Sequence, residues 1–206
     1  MPIGLDLDEV LVPSLDAEIK WYNKEYNTNF TREDFTTKRY WEVFDITLEE
    51  CSKRWGKFRE DFPSIPHPEL IKGVRQALEL LRKYDSLQIV TARPMVLEEP
   101  TKELIDLRLP GLIDKIHLVG DTTFPDYRKK SEVCKENDIH TFIDDGVNHM
   151  YEFQEDGIRS LLFNHHWNKD SKIPKETIRV YGWMDQDCRG PSVYDLIRLG
   201  FFERNI

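Results

Sequence analysis

Cysteine is scarce in this chain. Cys51, Cys134 and Cys188 are odd in number and far apart, which argues against a disulfide framework and offers no zinc-ligand spacing. No apolar run approaches the roughly 20 residues that a membrane-spanning helix needs, so no membrane partner is expected. Internal repeats and low-complexity tracts are missing too. Basic residues are in deficit, 29 Lys and Arg against 38 Asp and Glu. The resulting charge of -9 disfavours a long nucleic acid as partner, because phosphate backbones need a basic surface, and leaves only a local basic pocket open. What remains is a chain of 206 residues, long enough for one full core plus an insertion.

The acidic residues are not scattered. Ile3-Gly4-Leu5 leads into Asp6-Leu7-Asp8-Glu9-Val10, where two carboxylates at alternate positions close an apolar run. Residues two apart in a strand project to the same face, and neighbouring carboxylates repel unless a cation or a shared proton offsets them. A solvated acidic turn is the plainer reading of that segment alone. A second pair, Asp144-Asp145-Gly146, closes the run Thr141-Phe142-Ile143. Between the pairs, Leu87-Gln88-Ile89-Val90 ends in Thr91-Ala92-Arg93, and Arg128-Lys129-Lys130-Ser131 opens a helix-like stretch. Singly, each reads as a strand end, a turn or a solvated helix start. The order of all four together is hard to obtain by accident.

Apolar runs suited to strands, near residues 2 to 8, 86 to 91, 115 to 119, 140 to 144 and 158 to 163, alternate with helical spacing such as Leu70, Ile71, Val74, Leu78 and Leu81. This alternation predicts an α/β fold, a Rossmann-like parallel sheet with helices on both faces. Ligands in such sheets bind at the carboxyl ends of the strands, and all four segments fall there. The interval from Asp16 to Pro68 breaks the alternation, is too long for an ordinary connection, and is dense in aromatics. Most of those rings are expected to form the insertion's own core. His165 and His166 read as loop residues rather than ligands, since adjacent residues on an extended segment point oppositely. Ser192 to Leu199 reads as a last helix, started by Ser192 and stopped by Gly200.

In order and context the four segments resemble the motifs of the haloacid dehalogenase superfamily of phosphohydrolases. Asp6, Asp8 and Val10 match its Asp-x-Asp-x-Thr/Val motif, Thr91 its second, Lys130 its third with Lys129 as the alternative, and Asp144 and Asp145 its fourth. The long segment between the first and second motifs is most similar to the 5'(3')-deoxyribonucleotidase group of cytosolic type C nucleotidases. The resemblance implies a core of residues 1–15 and 69–206 and a helical cap of residues 16–68 inserted after the first strand. It implies a phosphomonoesterase with Asp6 as nucleophile, through an aspartyl-phosphate, and Asp8 as acid and base.

Phosphoryl transfer needs charge neutralisation more than unusual reactivity, and Mg2+ suits carboxylate oxygens. By resemblance, the metal is held by Asp6, the Asp8 carbonyl and one of Asp145 and Asp144, with Asp145 favoured as the direct ligand. Thr91, backbone N–H groups near Ala92, and Lys130 are expected to hold the phosphoryl group, with Arg93 a further phosphate or substrate contact. The expected substrate is a small phosphorylated molecule, a (deoxy)nucleoside monophosphate, with a sugar phosphate or a nucleic-acid end as alternative and a non-catalytic phosphate-binding module as the remaining class. Phe35, Tyr40, Trp41 and Phe44 are candidates for stacking on a nucleobase, and of the neighbours Tyr40 and Trp41 only one is expected to reach the cleft. With the first motif so near Met1, no leader is expected and the cytoplasm is the expected location.

Overall fold

The computed structural model describes residues 1–120, 127–184 and 189–203, so Cys188 lies outside the described residues. In chain order the elements are β1 (Ile3–Leu5), α1 (Ser14–Tyr26), α2 (Tyr40–Val43), α3 (Leu48–Asp61), α4 (Val74–Leu81), β2 (Leu87–Thr91), α5 (Glu98–Arg108), β3 (Lys115–Leu118), α6 (Lys130–Glu136), β4 (Thr141–Asp144), α7 (Val147–Glu155), β5 (Arg159–Phe163), β6 (Ile178–Val180) and α8 (Val193–Arg198). The six strands form one parallel sheet in the order β3-β2-β1-β4-β5-β6. It is the doubly wound α/β fold that the alternation predicted. The chain runs outward from β1 to β3, then returns to start again at β4 beside β1, and a ligand crevice opens where such a sheet reverses.

Alternation along each strand sorts the core into two layers. Leu5, Ile89, Ile143, Leu161 and Phe163 face Val74, Leu78, Leu104, Val193 and Ile197 of α4, α5 and α8. Val90, Phe142 and Leu162 face Val133, Met150 and Phe153 of α6 and α7. Each such side chain contributes roughly 1.5–3 kcal/mol on full burial. A slip of one residue would exchange the two layers, so burial fixes the register.

The sequence-predicted strand at residues 2 to 8 is shorter in the structure. Beyond Leu5 the chain bends, with the Leu7 carbonyl accepting from the N–H groups of Leu11 and Val12 at 2.9 and 3.1 Å, while Glu9 takes a left-handed φ of 63°. The strand β6 was not predicted. Its three residues are too few to show a period, and pairing with β5 holds them in line. The last helix does follow its signals: Ser192 Oγ accepts from Asp195 N, the Asp195 carboxylate accepts from Ser192 N, and Gly200 is left-handed at φ 73°.

The helices α1 to α3 enclose a third apolar cluster, with Leu15, Ile19, Tyr22, Phe35, Phe44 and Cys51 buried. Tyr22 and Phe44 stack at 3.8 Å and 9°.

Gly4 is the tightest position of the central strand. It pairs with Phe142 of β4, and a Cβ built there would meet the Phe142 ring at 2.3 Å. Gly4→Ala is expected to destabilise the fold by about 1–3 kcal/mol, the usual range for overpacking, as read by urea unfolding. A change under ~0.5 kcal/mol would show that the ring has room to move.

Candidate active site

The reversal at β1 and β4 gathers the four acidic and basic segments. Asp6 follows β1 and donates its N–H to Ile143 O at 2.8 Å, Asp144 closes β4, Thr91 closes β2, and Lys130 is the first residue of α6. Lys130 Nζ stands 2.8 Å from Asp6 Oδ2 and 2.8 Å from Asp144 Oδ2, and all three residues are buried. Asp144 also accepts from His149 Nδ1 at 2.9 Å and from Gly146 N at 2.7 Å. Asp145 turns the other way: its oxygens accept from Lys38 Nζ and from Trp167 Nε1 at 3.1 Å.

Carboxylate oxygens of Asp6, Asp144 and Asp145 lie within 4.8 Å of one another. An all-oxygen set of this size fits a hard divalent cation. The balance of charge within the trio is uneven. Burial, opposed by Lys130 and reinforced by the Asp144 and Asp145 charges, pushes the Asp6 carboxyl up to about 7. Burial also opposes the charge on Asp144, but Lys130 and His149 outweigh it and hold that carboxyl well below the usual range. Asp144 is thus the firmly ionised member of the cluster, and Asp6 the one pushed toward its protonated form.

Asp8 faces a different partner. Arg93 grips it with Nε to Oδ2 at 2.9 Å and Nη2 to Oδ1 at 2.7 Å, and gives its remaining nitrogen to Thr101 Oγ1 at 3.1 Å. Burial works against the Asp8 charge, yet this fork keeps its pKa below the ordinary value. Each nitrogen of the Arg93 guanidinium therefore already has a protein partner. Thr91 is fully buried, and its Oγ1 accepts from Arg93 N at 3.3 Å. Ala92 is exposed and lines a cavity of about 260 Å³ with Asp8, Arg93, Glu18, Tyr40, Trp55, Phe58 and Phe62.

Of the four aromatic candidates, only Tyr40 lines this cavity. Phe35 and Phe44 are buried inside the helical cluster, and Trp41 packs against it. Sequence reading missed Lys38, His149, Trp167 and Glu18. Lys38 and Trp167 sit in segments with no periodicity, and only the fold brings them to Asp145. His165 is structural: its Nε2–H donates to Glu9 O at 2.7 Å, its ring stacks on Trp167 at 4.3 Å, and burial pushes its pKa down to about 4, so it is neutral. That bond is one of several holding the bend after β1. Glu9 Oε1 accepts from Leu15 N at 2.8 Å, Arg32 pairs with Glu9 at 2.6 Å, and Trp183 Nε1 donates to Val10 O at 2.7 Å.

A family model described as 5' nucleotidase, deoxy (pyrimidine), cytosolic type C protein matches residues 1–189. The chain belongs to that family. It is a phosphatase of the haloacid dehalogenase superfamily. No curated protein matches it significantly. Solved structures that resemble this phosphatase share its fold at low identity. A haloacid dehalogenase-like hydrolase from Streptococcus pneumoniae is 17% identical at a TM-score of 0.62, over 86% of this chain and 92% of that one. The HAD-hydrolase YfnB from Bacillus subtilis, bound to magnesium, is 16% identical at 0.60, over 96% and 97%. A CbbY mutant from Rhodobacter sphaeroides in complex with xylulose-(1,5)-bisphosphate is 11% identical at 0.59, over 87% and 92%. Among the described residues of this phosphatase, no helix is long and apolar enough to cross a membrane.

The raised Asp6 value has a consequence for stability. A carboxyl that holds its proton more tightly folded than unfolded favours the fold below its unfolded pKa, near 3.8, and loses that contribution as pH rises through about 7. In EDTA, Asp6→Asn is therefore expected to be more stable than the parent at pH 8, with the advantage shrinking as pH falls toward 4. Paired urea titrations across that range test it, and a difference independent of pH would contradict the assignment.

Proposed function

We propose that this chain is a Mg2+-dependent phosphomonoesterase that works through an aspartyl-phosphate and acts on (deoxy)nucleoside monophosphates. The observation that carries the reading is the arrangement of Asp6 against Lys130 and the Asp144–Asp145 pair, with Asp8, two residues on, lining an aromatic cavity. Mg2+ would be held by Asp6, Asp145 or Asp144, and the Asp8 carbonyl, and would supply positive charge between carboxylates and phosphoryl oxygens. The rest falls to the chain's own groups. Asp6 Oδ1 accepts from Leu7 N at 2.8 Å, which fixes the carboxyl plane for in-line attack on phosphorus. Lys130 offsets the charge that gathers on the phosphoryl oxygens. Thr91 and the N–H groups after it offer hydrogen bonds to the same oxygens.

Asp8 is paired as a carboxylate in the absence of substrate, which suits it to deprotonate the hydrolytic water. Protonating the leaving oxygen first requires it to take up a proton. A phosphate dianion brought alongside raises a carboxyl pKa and so favours that uptake.

Residues 16–68 act in this reading as a cap. They place Tyr40, Trp55, Phe58 and Phe62 around the cavity, and a flat nucleobase stacks on such rings with little dependence on base identity. A sugar phosphate is the alternative, since CbbY of the same fold holds xylulose-(1,5)-bisphosphate. A screen of nucleoside monophosphates, sugar phosphates and phenyl phosphate, with and without Mg2+, separates the two. Asp6→Asn is expected to cost several powers of ten in kcat, and near-native turnover would end the covalent reading. Tyr40→Ala is expected to lower kcat/KM on the preferred nucleotide by roughly 5- to 150-fold, the worth of one stacked ring, with a smaller loss on phenyl phosphate. Equal losses on both would make Tyr40 part of the cap's packing.

Metal binding is separable from turnover. Mg2+ at about 100 times its Kd is expected to stabilise the folded chain by roughly 2.7 kcal/mol, seen as a rise in Tm that Asp145→Ala removes. A shift kept in Asp145→Ala and lost in Asp144→Ala would exchange the roles of the two residues.

A further inference from the structure

Every acidic side chain at the cleft described so far has a cationic partner. Asp6 and Asp144 share Lys130, Asp8 has Arg93, Glu9 has Arg32, and Asp145 has Lys38. Glu18 breaks this pattern. It projects from α1 into the cavity that Asp8, Arg93 and Tyr40 line, and its Oε2 is enclosed by protein with no hydrogen-bond partner. A buried carboxyl oxygen left unpaired is costly, and a position that keeps one commonly meets its partner in something that binds.

Burial, then the charges of Asp8 and Glu9, push the Glu18 carboxyl up to about 8, with Arg93 and Lys38 pulling the other way. At neutral pH the group is largely a neutral acid, able both to give and to accept a hydrogen bond. It can stand near a phosphate dianion without adding to the repulsion.

Position narrows what it meets. Glu18 feels the charge of Asp8, the residue assigned to the leaving oxygen, while Trp55, Phe58 and Phe62 extend the same cavity with apolar surface. The part of a substrate between a phosphoester oxygen and an apolar or aromatic group is a sugar. We propose that Glu18 is a specificity-determining residue that hydrogen-bonds a sugar hydroxyl on the leaving group. This rests on the phosphatase reading above, but the hydroxyl could belong to a nucleotide or to a free sugar phosphate.

The experiment compares kcat/KM for the parent, Glu18→Leu and Glu18→Gln on a 2'-deoxynucleoside 5'-monophosphate, its 2',3'-dideoxy analogue, a pentose 5-phosphate and phenyl phosphate, with circular dichroism to confirm folding. The parent is expected to prefer the deoxynucleotide over the dideoxy analogue by about 10- to 100-fold, the worth of a buried polar group losing its partner. Glu18→Leu is expected to erase that preference, and Glu18→Gln, which still gives and accepts hydrogen bonds, to keep most of it. Equal parent rates on the two nucleotides, or a Glu18→Leu loss as large on phenyl phosphate as on the deoxynucleotide, would overturn the proposal. If the parent prefers the pentose phosphate to every nucleotide, the nucleotide reading fails by itself. Glu18 is then judged by whether Glu18→Leu closes the gap between pentose phosphate and phenyl phosphate. If Glu18→Leu does not fold, Glu18→Gln together with the parent's dideoxy discrimination decides the matter.

Discussion

A single ammonium group makes the centre of this molecule possible. Lys130 Nζ sits fully enclosed between Asp6 and Asp144, at the seam where the sheet reverses direction. Removing the cation of such a buried cluster typically costs about 3–5 kcal/mol, because the two carboxylates left behind have no solvent to turn to. Two strand ends carrying carboxylates could not lie side by side without it. The sheet order, the burial of β1 and β4 and the closeness of the acidic trio all presuppose that contact.

Lys130 and Arg93 together give three chemically alike groups different surroundings. Asp144 spends its oxygens on Lys130, His149 and Gly146 and is fixed. Asp6 takes Lys130 on one oxygen and the Leu7 N–H on the other, and burial pushes its carboxyl up to about 7. Asp8, held by a planar guanidinium rather than an ammonium, is kept below the ordinary carboxyl value where Asp6 is pushed above it. Identical side chains thus acquire distinct behaviour from their neighbours alone.

How much of this was legible in the sequence follows from the range of the forces involved. The strands β1, β2, β4 and β5 announced themselves because burial on both faces demands short, largely apolar runs, and the helix from Val193 because capping is a contact within four residues. The charged residues of the site were legible because they directly follow those runs. Lys38 and Trp167 were not, since each reaches the site from a segment whose local sequence carries no period, and Glu18 was not because α1 presents it by rotation about its axis rather than by any motif. Phe35 and Phe44 could not be told from Tyr40 for the same reason: which ring turns inward to Tyr22 and which lines the cavity is decided by how α1 to α3 pack together.

The bend after β1 draws on both ends of the chain. Its left-handed residue, Glu9, is held by Leu15 and Arg32 nearby, but also by His165, and Val10 is tied to Trp183, 173 residues further on. A growing polypeptide that has emerged from the ribosome only as far as Asp145 already contains both acidic pairs and Lys130, yet lacks the two side chains that brace the turn presenting Asp8. Since chains are made at about 5–20 residues per second, an interval of seconds separates the synthesis of the acidic groups from the moment their geometry can be completed. During translation the nascent chain therefore carries its paired carboxylates and Lys130 before the fold can fix their geometry.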